Sequence, residues 1–257
     1  MKWWQQELTL FAVAVGFFTR VPVSASIFTD QERLNRASRY FALVGTAIGA
    51  ICALVYLVAA EIWPVPVAVV LVMITSVVLT GGFHEDGLAD TADGFGGGWR
   101  VADKLRIMKD SRLGSYGALA LVLVLLLKWQ LLLTLAQAQS GDMVLALILG
   151  HTLSRAVAAS LIYSEQYVRD EDGKSKPLAQ HQHVNDLWVL ILTAVPGLLW
   201  LSGTEIFVLV AVLLLTRWLL VIGMRRQIGG YTGDTLGAAQ QITELTVYLT
   251  LLPLLQA

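Results

Sequence analysis

The segment GGFHEDGLADTADGFGGG, residues 81–98, holds four acids, one histidine and seven glycines between a long apolar run and a basic segment. If residues 86–93 are helical, Asp86, Asp90 and Asp93 have the spacing i, i+4 and i+7, which places them within about 60° of one another on one face. Carboxylates this close together repel strongly unless a cation neutralises them. Their oxygens suit Mg²⁺, which proteins commonly bind through one or two carboxylates and substrate phosphates. The alternative is an exposed acidic loop in which Asp86 is a helix N-cap.

The composition indicates a membrane protein. The chain has 257 residues, of which 56% are hydrophobic and 14% are charged, and its mean hydropathy is +0.66. A soluble domain of this length does not need so much apolar sequence. The one cysteine, Cys52, excludes a disulfide framework, and the first residues show no secretory cleavage pattern. We predict a single integral membrane domain over residues 1–257. The net charge of −1 gives no reason to expect a nucleic-acid partner.

Eight apolar runs approach the length of about 20 residues that a helix needs to cross a bilayer. They lie near residues 5–19, 39–61, 65–83, 115–137, 143–163, 187–201, 205–223 and 242–256. The first, sixth and last runs are short or weakly apolar, so any of these could instead be tilted, re-entrant or interfacial. We therefore predict an all-α polytopic membrane protein with about seven or eight transmembrane helices.

The basic residues fix a predicted orientation. Lysine and arginine collect in segments 20–39, 84–114, 164–186 and 224–241, and the short joints between the other runs carry none. With eight spans, all four basic segments fall on the same side, which the positive-inside rule makes cytoplasmic. The acidic segment lies on that side too, so catalytic loops are expected to face the cytoplasm.

An interfacial helix is predicted directly after the acidic segment. Val101, Leu105 and Met108 repeat at i, i+4 and i+7, with basic residues on the other faces, as in amphipathic helices that lie in the headgroup plane. Anchoring to lipid is one interpretation. The other is that the basic side chains bind a phosphorylated substrate next to the carboxylates. The candidates for this role are Arg106, Lys109 and Arg112.

Charges also occur inside the apolar runs. A charge there is costly and by default suggests function. Arg155 lies about two turns from the cytoplasmic end of its run, and we predict that it binds a phosphate. Lys128, Arg155 and Arg217 could also snorkel or pair with a carboxylate. Glu244, an acid in the last run, is a further candidate for the site.

The segment GGYTGDTLGAA, residues 229–239, is the second glycine-rich stretch. Glycines allow close backbone approach, and successive amides can hold phosphate oxygens. Thr232 and Gly233 are therefore candidate phosphate-binding residues, and Asp234 is a further candidate metal ligand. The segment lacks the ending of a Walker A motif, and a plain glycine turn before the last helix is the alternative.

Segment 164–186 is predicted to be a flexible, solvated connection, with Asp170–Gly173 followed by Lys174–Pro177. His181 and His183 have a spacing that suits a metal pair in an extended chain, but a polar loop is the simpler interpretation.

Three motifs closely resemble the cobalamin-5′-phosphate synthase family, also called adenosylcobinamide-GDP ribazoletransferases. They are HEDGLADTADG at 84–94, IMKDSRLG at 107–114 and GYTGDTLGA at 230–238. The segment FTRVPV at 18–23 is similar to the family's opening. The motifs follow in the expected order from near residue 10 to residue 239, and the acidic positions show no departure from the pattern.

The resemblance implies the last assembly step of coenzyme B12 in the bacterial cytoplasmic (inner) membrane. Adenosylcobinamide-GDP is joined to α-ribazole or its 5′-phosphate and GMP is released, by an EC 2.7.8-type phosphotransferase that uses Mg²⁺. Asp86, Asp90 and Asp93 would hold the metal, with Asp234 completing its shell. His84, or an aspartate not bound to metal, would take the hydroxyl proton. On an ideal helix His84 points away from the aspartates.

Two other functions fit parts of the sequence. A CDP-alcohol phosphotransferase also has Asp-Gly-x-x-Ala near its aspartates, but Asp86-Gly87-Leu88-Ala89 misses that order by one residue. An ion-coupled transporter predicts acids near the bilayer midplane and repeated halves, whereas here the acids lie at one face. Self-association, or association with other corrinoid enzymes, is left open.

Overall fold

The computed structural model describes residues 2–28, 31–168, 179 and 181–256. Within these residues the chain is helical and forms no strand beyond an isolated bridge between Tyr167 and Tyr231. The predicted all-α fold is confirmed.

The helices follow one another with short connections. The described residues form α1 (Trp3–Phe18), α2 (Gln31–Ala37), α3 (Phe41–Ile62), α4 (Val65–Thr80), α5 (Phe83–Gly97), α6 (Val101–Ile107), α7 (Ser115–Ala138), α8 (Ser140–Ser164), α9 (Val184–Ala194), α10 (Gly203–Ile228) and α11 (Gly233–Leu255). Short 3₁₀ segments occur at Ala25–Ile27, Ser38–Tyr40 and Val195–Trp200.

Four helical stretches of the described chain are long and apolar enough to cross a membrane, and α4 with α5 makes a fifth if this bent pair is one span. The four are Gln31–Ile62, Ser115–Ala138, Ser140–Ser164 and Gly203–Ile228. These stretches fit a polytopic membrane protein, but the predicted count of seven or eight spans is not confirmed. The weak first and sixth runs are short here: α1 has 16 residues, and α9 has 11 before it becomes a 3₁₀ segment.

The predicted span 65–83 is broken. The α4 helix ends at Thr80, and α5 leaves it at an angle of 86°. Gly81 and Gly82 make the turn with φ angles of 69° and 70°, a left-handed conformation that glycine adopts without the steric cost of a β-carbon. The acidic segment therefore forms a separate helix across the end of the bundle.

The last predicted span, 242–256, is only the second half of α11. This helix begins at Gly233 and packs against α5, α7, α8 and α10. Its surroundings are protein on most sides, and it carries buried polar side chains that lower its hydropathy. It is therefore an interior helix of the bundle.

A buried ion pair fixes α11 to α7. The Lys128 Nζ atom lies 2.6 Å from a Glu244 carboxylate oxygen, and both side chains are at most 4% exposed. The Tyr248 hydroxyl and the Gln240 amide each donate to the same carboxylate at 2.8 Å. Lys128 thus pairs with a carboxylate, one of the two alternatives that the sequence left open. Arg217 of α10 instead donates to the Ser160 and Ser164 hydroxyls of α8.

We expect Lys128→Met to destabilise the protein by about 3–5 kcal/mol, because the Glu244 carboxylate then stays buried without its cation. Thermal denaturation in detergent measures the effect. Arg226→Met removes an exposed cation at the end of α10 and should leave Tm unchanged. The double variant Lys128→Met/Glu244→Gln should regain part of the loss. An unchanged Tm for Lys128→Met would contradict the pairing.

Candidate functional site

Helix α5 touches the first turn of α11 through glycines. A β-carbon on Gly87 would lie 2.8 Å from the Asp234 carbonyl oxygen and 3.2 Å from the Gly237 Cα atom. No larger residue fits such a contact without displacing one helix. The contact brings the backbone of Asp234 beside the helix that carries Asp86 and Asp90, and the shared metal site stays a prediction.

The start of α11 is held by a capping box. The Thr232 hydroxyl accepts the Thr235 N–H at 3.3 Å, and the Thr235 hydroxyl accepts the Thr232 N–H at 2.8 Å. Just before it, the Tyr231 N–H donates to the Gln166 carbonyl at 2.8 Å. The sequence suggested Thr232 for phosphate binding, whereas its hydroxyl here accepts a backbone N–H. The segment therefore forms a fixed helix N-terminus, which includes Gly233 and carries a partial positive charge.

Residues 86–93 are helical, as the proposed carboxylate face required, and the N-cap of α5 is Gly82 rather than Asp86. The alternative of an exposed acidic loop is therefore wrong. Asp86 is exposed, Asp90 is half-buried and Asp93 is buried. Among the described residues no three His, Cys, Asp or Glu side chains form a metal-sized group, so the metal roles of these aspartates and Asp234 stay predictions.

Asp93 contacts a different helix. Its two carboxylate oxygens accept the backbone N–H groups of Gly114 and Gly117, each at 2.8 Å. These residues are the N-cap and third residue of α7, so Asp93 caps that helix from outside. The aspartate spacing in the sequence could not reveal this partner, because it is distant along the chain and is a backbone group.

His84 and Arg155 lie together on a small cavity under the N-terminus of α11, which Gly233, Gly237 and the ring of Phe18 also line. The His84 ring stacks on Phe18 at 5.4 Å, and the Arg155 guanidinium lies 5.9 Å from the centre of the same ring. His84 Nε2 and Arg155 Nε are buried and have no hydrogen-bond partner in the described structure. Neither Asp86 nor Asp90 lines this cavity. His84 therefore points away from the aspartates, as expected.

Arg155 is also held in place through its guanidinium. One of its terminal nitrogens donates to the His151 carbonyl at 3.0 Å. A phosphate that reached this cavity would therefore meet an Arg155 side chain that is already oriented. Phosphate binding by Arg155 stays a prediction.

Two buried amides of α11 were missed in the sequence. The Gln241 amide donates to the Glu85 carboxylate at 3.1 Å and to the Gln240 side chain at 2.9 Å, and Gln240 donates to the Ser154 hydroxyl at 3.0 Å. The sequence signal that could have indicated these two residues is a pair of adjacent glutamines at the start of an apolar run. These bonds tie α5 and α8 to α11.

The basic segment after α5 forms the predicted short helix α6. Met108 is 2% exposed and packs on Gly94 of α5, while Lys104 donates to the Gln227 carbonyl at the end of α10. Lys109 is exposed, and Arg106 lies 3.9 Å from Asp103. The candidate phosphate-binding cations therefore lie on a segment that is anchored to the acidic helix α5 and to the end of α10.

Arg112 forms a tight pair with Asp110. The guanidinium donates to the Asp110 carboxylate at 2.6 Å, and the Arg112 side-chain and backbone hydrogen bonds lower the pKa of Asp110 to about 2. The carboxylate is therefore ionised at any pH above about 2, and Arg112 keeps a partner at neutral pH.

His181 and His183 are edge-to-face, with ring centres 5.7 Å apart, and the described residues supply no third ligand. The predicted loop elements Asp170–Gly173 and Lys174–Pro177 lie outside the described residues.

Comparison with known proteins gives a consistent result. The model of the cobalamin-5-phosphate synthase family matches residues 10–252. An adenosylcobinamide-GDP ribazoletransferase from Shewanella frigidimarina is 62% identical over 250 residues, which cover 97% of this chain and 96% of the relative. Relatives of the same name from Shewanella piezotolerans and Shewanella pealeana are each 60% identical to this chain. Their alignments cover 98% or more of this chain and 98% of the length of each relative. No solved structure matches.

We expect Asp93→Ala to lower the free energy of unfolding by about 1–2 kcal/mol, because the first turn of α7 loses an acceptor for two N–H groups. Asp86→Ala, on the same helix but exposed, should change it by no more than about 0.5 kcal/mol. Thermal denaturation of the two variants in one detergent makes the comparison. Equal stability of both would show that the cap contributes nothing.

Proposed function

The chain belongs to the cobalamin-5-phosphate synthase family, and we propose how its residues carry out the family's reaction. The chain is an enzyme that joins adenosylcobinamide-GDP to α-ribazole, or to its 5′-phosphate, and releases GMP in the last assembly step of cobalamin synthesis. The observation that carries the placement of the site is the packing of Gly87 on Asp234 and Gly237. It joins family motifs from opposite halves of the chain. The family match decides against the CDP-alcohol and transporter alternatives.

Asp86, Asp90 and Asp234 are proposed to hold Mg²⁺. Their fit rests on the donor set, which consists of hard carboxylate oxygens, and on the backbone contact that brings α11 beside α5. When bound, Mg²⁺ would neutralise charge on the diphosphate of the substrate. Asp93 stays a predicted ligand as well, but the two N–H groups on its carboxylate already support an anchoring role.

Positive groups are proposed to complete the site. Arg106, Lys109 and Arg112 are proposed to bind phosphate oxygens and to stabilise the departing GMP. The N-terminus of α11, with Thr232 and Gly233, adds the positive end of a helix dipole. Arg155 is proposed to hold a phosphate oxygen from the cavity side, where its Nε atom has no partner among the described residues.

The reaction is a phosphoryl-type transfer. The ribose 3′-hydroxyl attacks the phosphorus that is bonded to cobinamide, a new O–P bond forms, and the P–O bond to GMP breaks. The hydroxyl proton goes to a carboxylate oxygen of Asp86 or Asp90 that would not contact the metal. An aspartate suits this role better than His84, which is buried against Phe18 on another face of the helix. Such a transfer needs positioning and charge neutralisation more than covalent help.

The membrane orientation is part of the proposal. The carboxyl ends of α1, α8 and α10 and the amino end of α11 meet at the face that carries α5 and α6, as their shared contacts indicate. The basic loops of the sequence join these same ends. By the positive-inside rule this face looks into the cytoplasm of the bacterial inner membrane.

The proposed metal ligands predict a loss of activity. Purified protein in detergent, given adenosylcobinamide-GDP, α-ribazole-5′-phosphate and Mg²⁺, should release GMP. Asp86→Asn, Asp90→Asn and Asp234→Asn should each slow release at least about 100-fold. Asp142→Asn, at the opposite end of α8, should not. Release that is independent of Mg²⁺ and survives these substitutions would keep the activity and remove the metal site.

Lys109→Ala should raise the KM for adenosylcobinamide-GDP about tenfold, the loss expected for one charged hydrogen bond to phosphate. Lys2→Ala removes an exposed lysine before α1, at the far end from the site, and should leave the KM unchanged. Steady-state GMP release at varied substrate concentration measures both. A fall in kcat alone would place Lys109 at the leaving group.

A further inference from the structure

Arg20 follows helix α1, and the reaction proposed above does not use it. Its backbone N–H donates to the Leu79 carbonyl near the end of α4 at 2.8 Å. Phe18, two residues earlier, is 7% exposed, and its ring stacks on the His84 ring of α5. The segment that leaves α1 is therefore fixed against both α4 and α5.

The Arg20 guanidinium lies on the glycine turn between α4 and α5. A β-carbon on Gly81 would lie 2.8 Å from both the Cζ and the Nη2 atom of Arg20. Gly81 therefore meets two constraints, because it also has the left-handed φ of 69° that glycine adopts at no steric cost. The turn gives the guanidinium a defined position as well as bending the chain.

Arg20 is exposed, and its guanidinium has neither a hydrogen bond nor a carboxylate partner among the described residues. Other arginines that pack between helices do have such partners: Arg39 pairs with Asp186, and Arg225 pairs with Glu165. A guanidinium presents several N–H donors in one plane, which matches the oxygens of a phosphate. A positioned guanidinium without a counter-ion is suited to an anionic ligand.

Arg20 and the basic helix α6 contact opposite ends of α5. At the amino end, the carbonyl of Gly82, the next residue of the turn, accepts the Asp86 N–H at 2.9 Å. These contacts keep the Arg20 guanidinium within about 13 Å of the Asp86 backbone nitrogen. At the carboxyl end, α6 and the residue after it pack on Gly94. Asp86 and Asp90 lie between these two contacts along the helix.

The geometry of the reaction decides which substrate meets Arg20. In phosphoryl transfer the attacking and leaving oxygens lie roughly in line, on opposite sides of the phosphorus. The side chains proposed to stabilise GMP, Arg106, Lys109 and Arg112, belong to the segment that packs on the carboxyl end of α5. If GMP departs toward that end, the acceptor approaches from the amino end, where Arg20 lies.

We propose that Arg20 binds the 5′-phosphate of the phosphorylated ribazole acceptor. This inference rests on the proposed function. Only the ribose lies between the attacking 3′-hydroxyl and the 5′-phosphate, so a phosphate held at Arg20 keeps the hydroxyl close to Asp86. Unphosphorylated α-ribazole lacks the group that Arg20 binds. Arg20 therefore favours the phosphorylated acceptor over α-ribazole.

Arg20→Gln removes the positive charge and keeps a polar side chain. It should lower the ratio of kcat/KM for α-ribazole-5′-phosphate to kcat/KM for α-ribazole about 10- to 100-fold, the effect of one charged hydrogen bond. Arg20→Lys should restore part of that ratio. Arg226→Gln, which removes an exposed arginine at the end of α10, should leave the ratio as in the wild type. GMP release with each acceptor measures all four proteins.

Two other phosphate sources give different results. If Arg20 binds the diphosphate of adenosylcobinamide-GDP, Arg20→Gln raises the KM for that substrate with both acceptors and leaves the ratio unchanged. If Arg20 binds a lipid headgroup, the ratio is again unchanged, and Arg20→Gln removes a rise in Tm that phosphatidylglycerol nanodiscs give to the wild type. Either result overturns the proposal.

Calorimetric titration of α-ribazole-5′-phosphate into the protein, without the second substrate, separates this proposal from the proposed function. The wild type and Arg226→Gln should bind it equally, and Arg20→Gln should bind about 10- to 100-fold more weakly. If binding follows this order but the wild type releases no GMP, the activity fails while the phosphate site stands. Equal binding by all three proteins, with GMP release by the wild type, would remove the role of Arg20 and leave the activity.

Discussion

The ion pair between Lys128 and Glu244 shows the constraint on which the bundle depends: α11 brings polar side chains into an apolar interior. Each of them costs free energy unless a neighbouring helix supplies a partner. Helix α7 supplies Lys128 at 2.6 Å from Glu244, α8 supplies Ser154 to Gln240, and α5 supplies Glu85 to Gln241. Apolar surfaces in a bilayer pack with little preference of register, whereas these bonds are directional. They fix the rotation and height of α11 against three helices at once.

Fixing α11 also fixes the site at its amino end. Once Gln241 is bound to Glu85, the first turn of α11 must lie beside the start of α5, and this is possible only because glycines occupy both surfaces. Gly237 lies 3.2 Å from the position that a β-carbon on Gly87 would take. The turn at Gly81 and Gly82 lets α5 cross the bundle end rather than continue α4. The interior bonds therefore hold the two helices that carry the proposed catalytic carboxylates, α5 and α11, against each other.

Much of this could be predicted from sequence, but only where the signal is local. The placement of Asp86, Asp90 and Asp93 on one face required a helix, and α5 is one. By contrast, the apolar run 65–83 gave no sign of its bend, because hydropathy does not register left-handed glycines. The partner of Lys128 was left open, since nothing in α7 identifies an acid on α11. The cavity that His84 and Arg155 line could not be predicted, because residues of five separate helices form it.

The acids of the 81–98 segment show why composition could not sort their roles. All four are carboxylates within three turns, but burial and partners separate them. Glu85 is buried and accepts from Gln241, which holds α5 to α11. Asp93 is buried and accepts the N–H groups of α7. Asp86 is exposed and Asp90 half-buried, so these two remain able to meet a substrate. An acid that anchors a helix must be desolvated, whereas one that binds a metal with its substrate must be reached from outside. The same helix satisfies both needs because its faces differ in their neighbours.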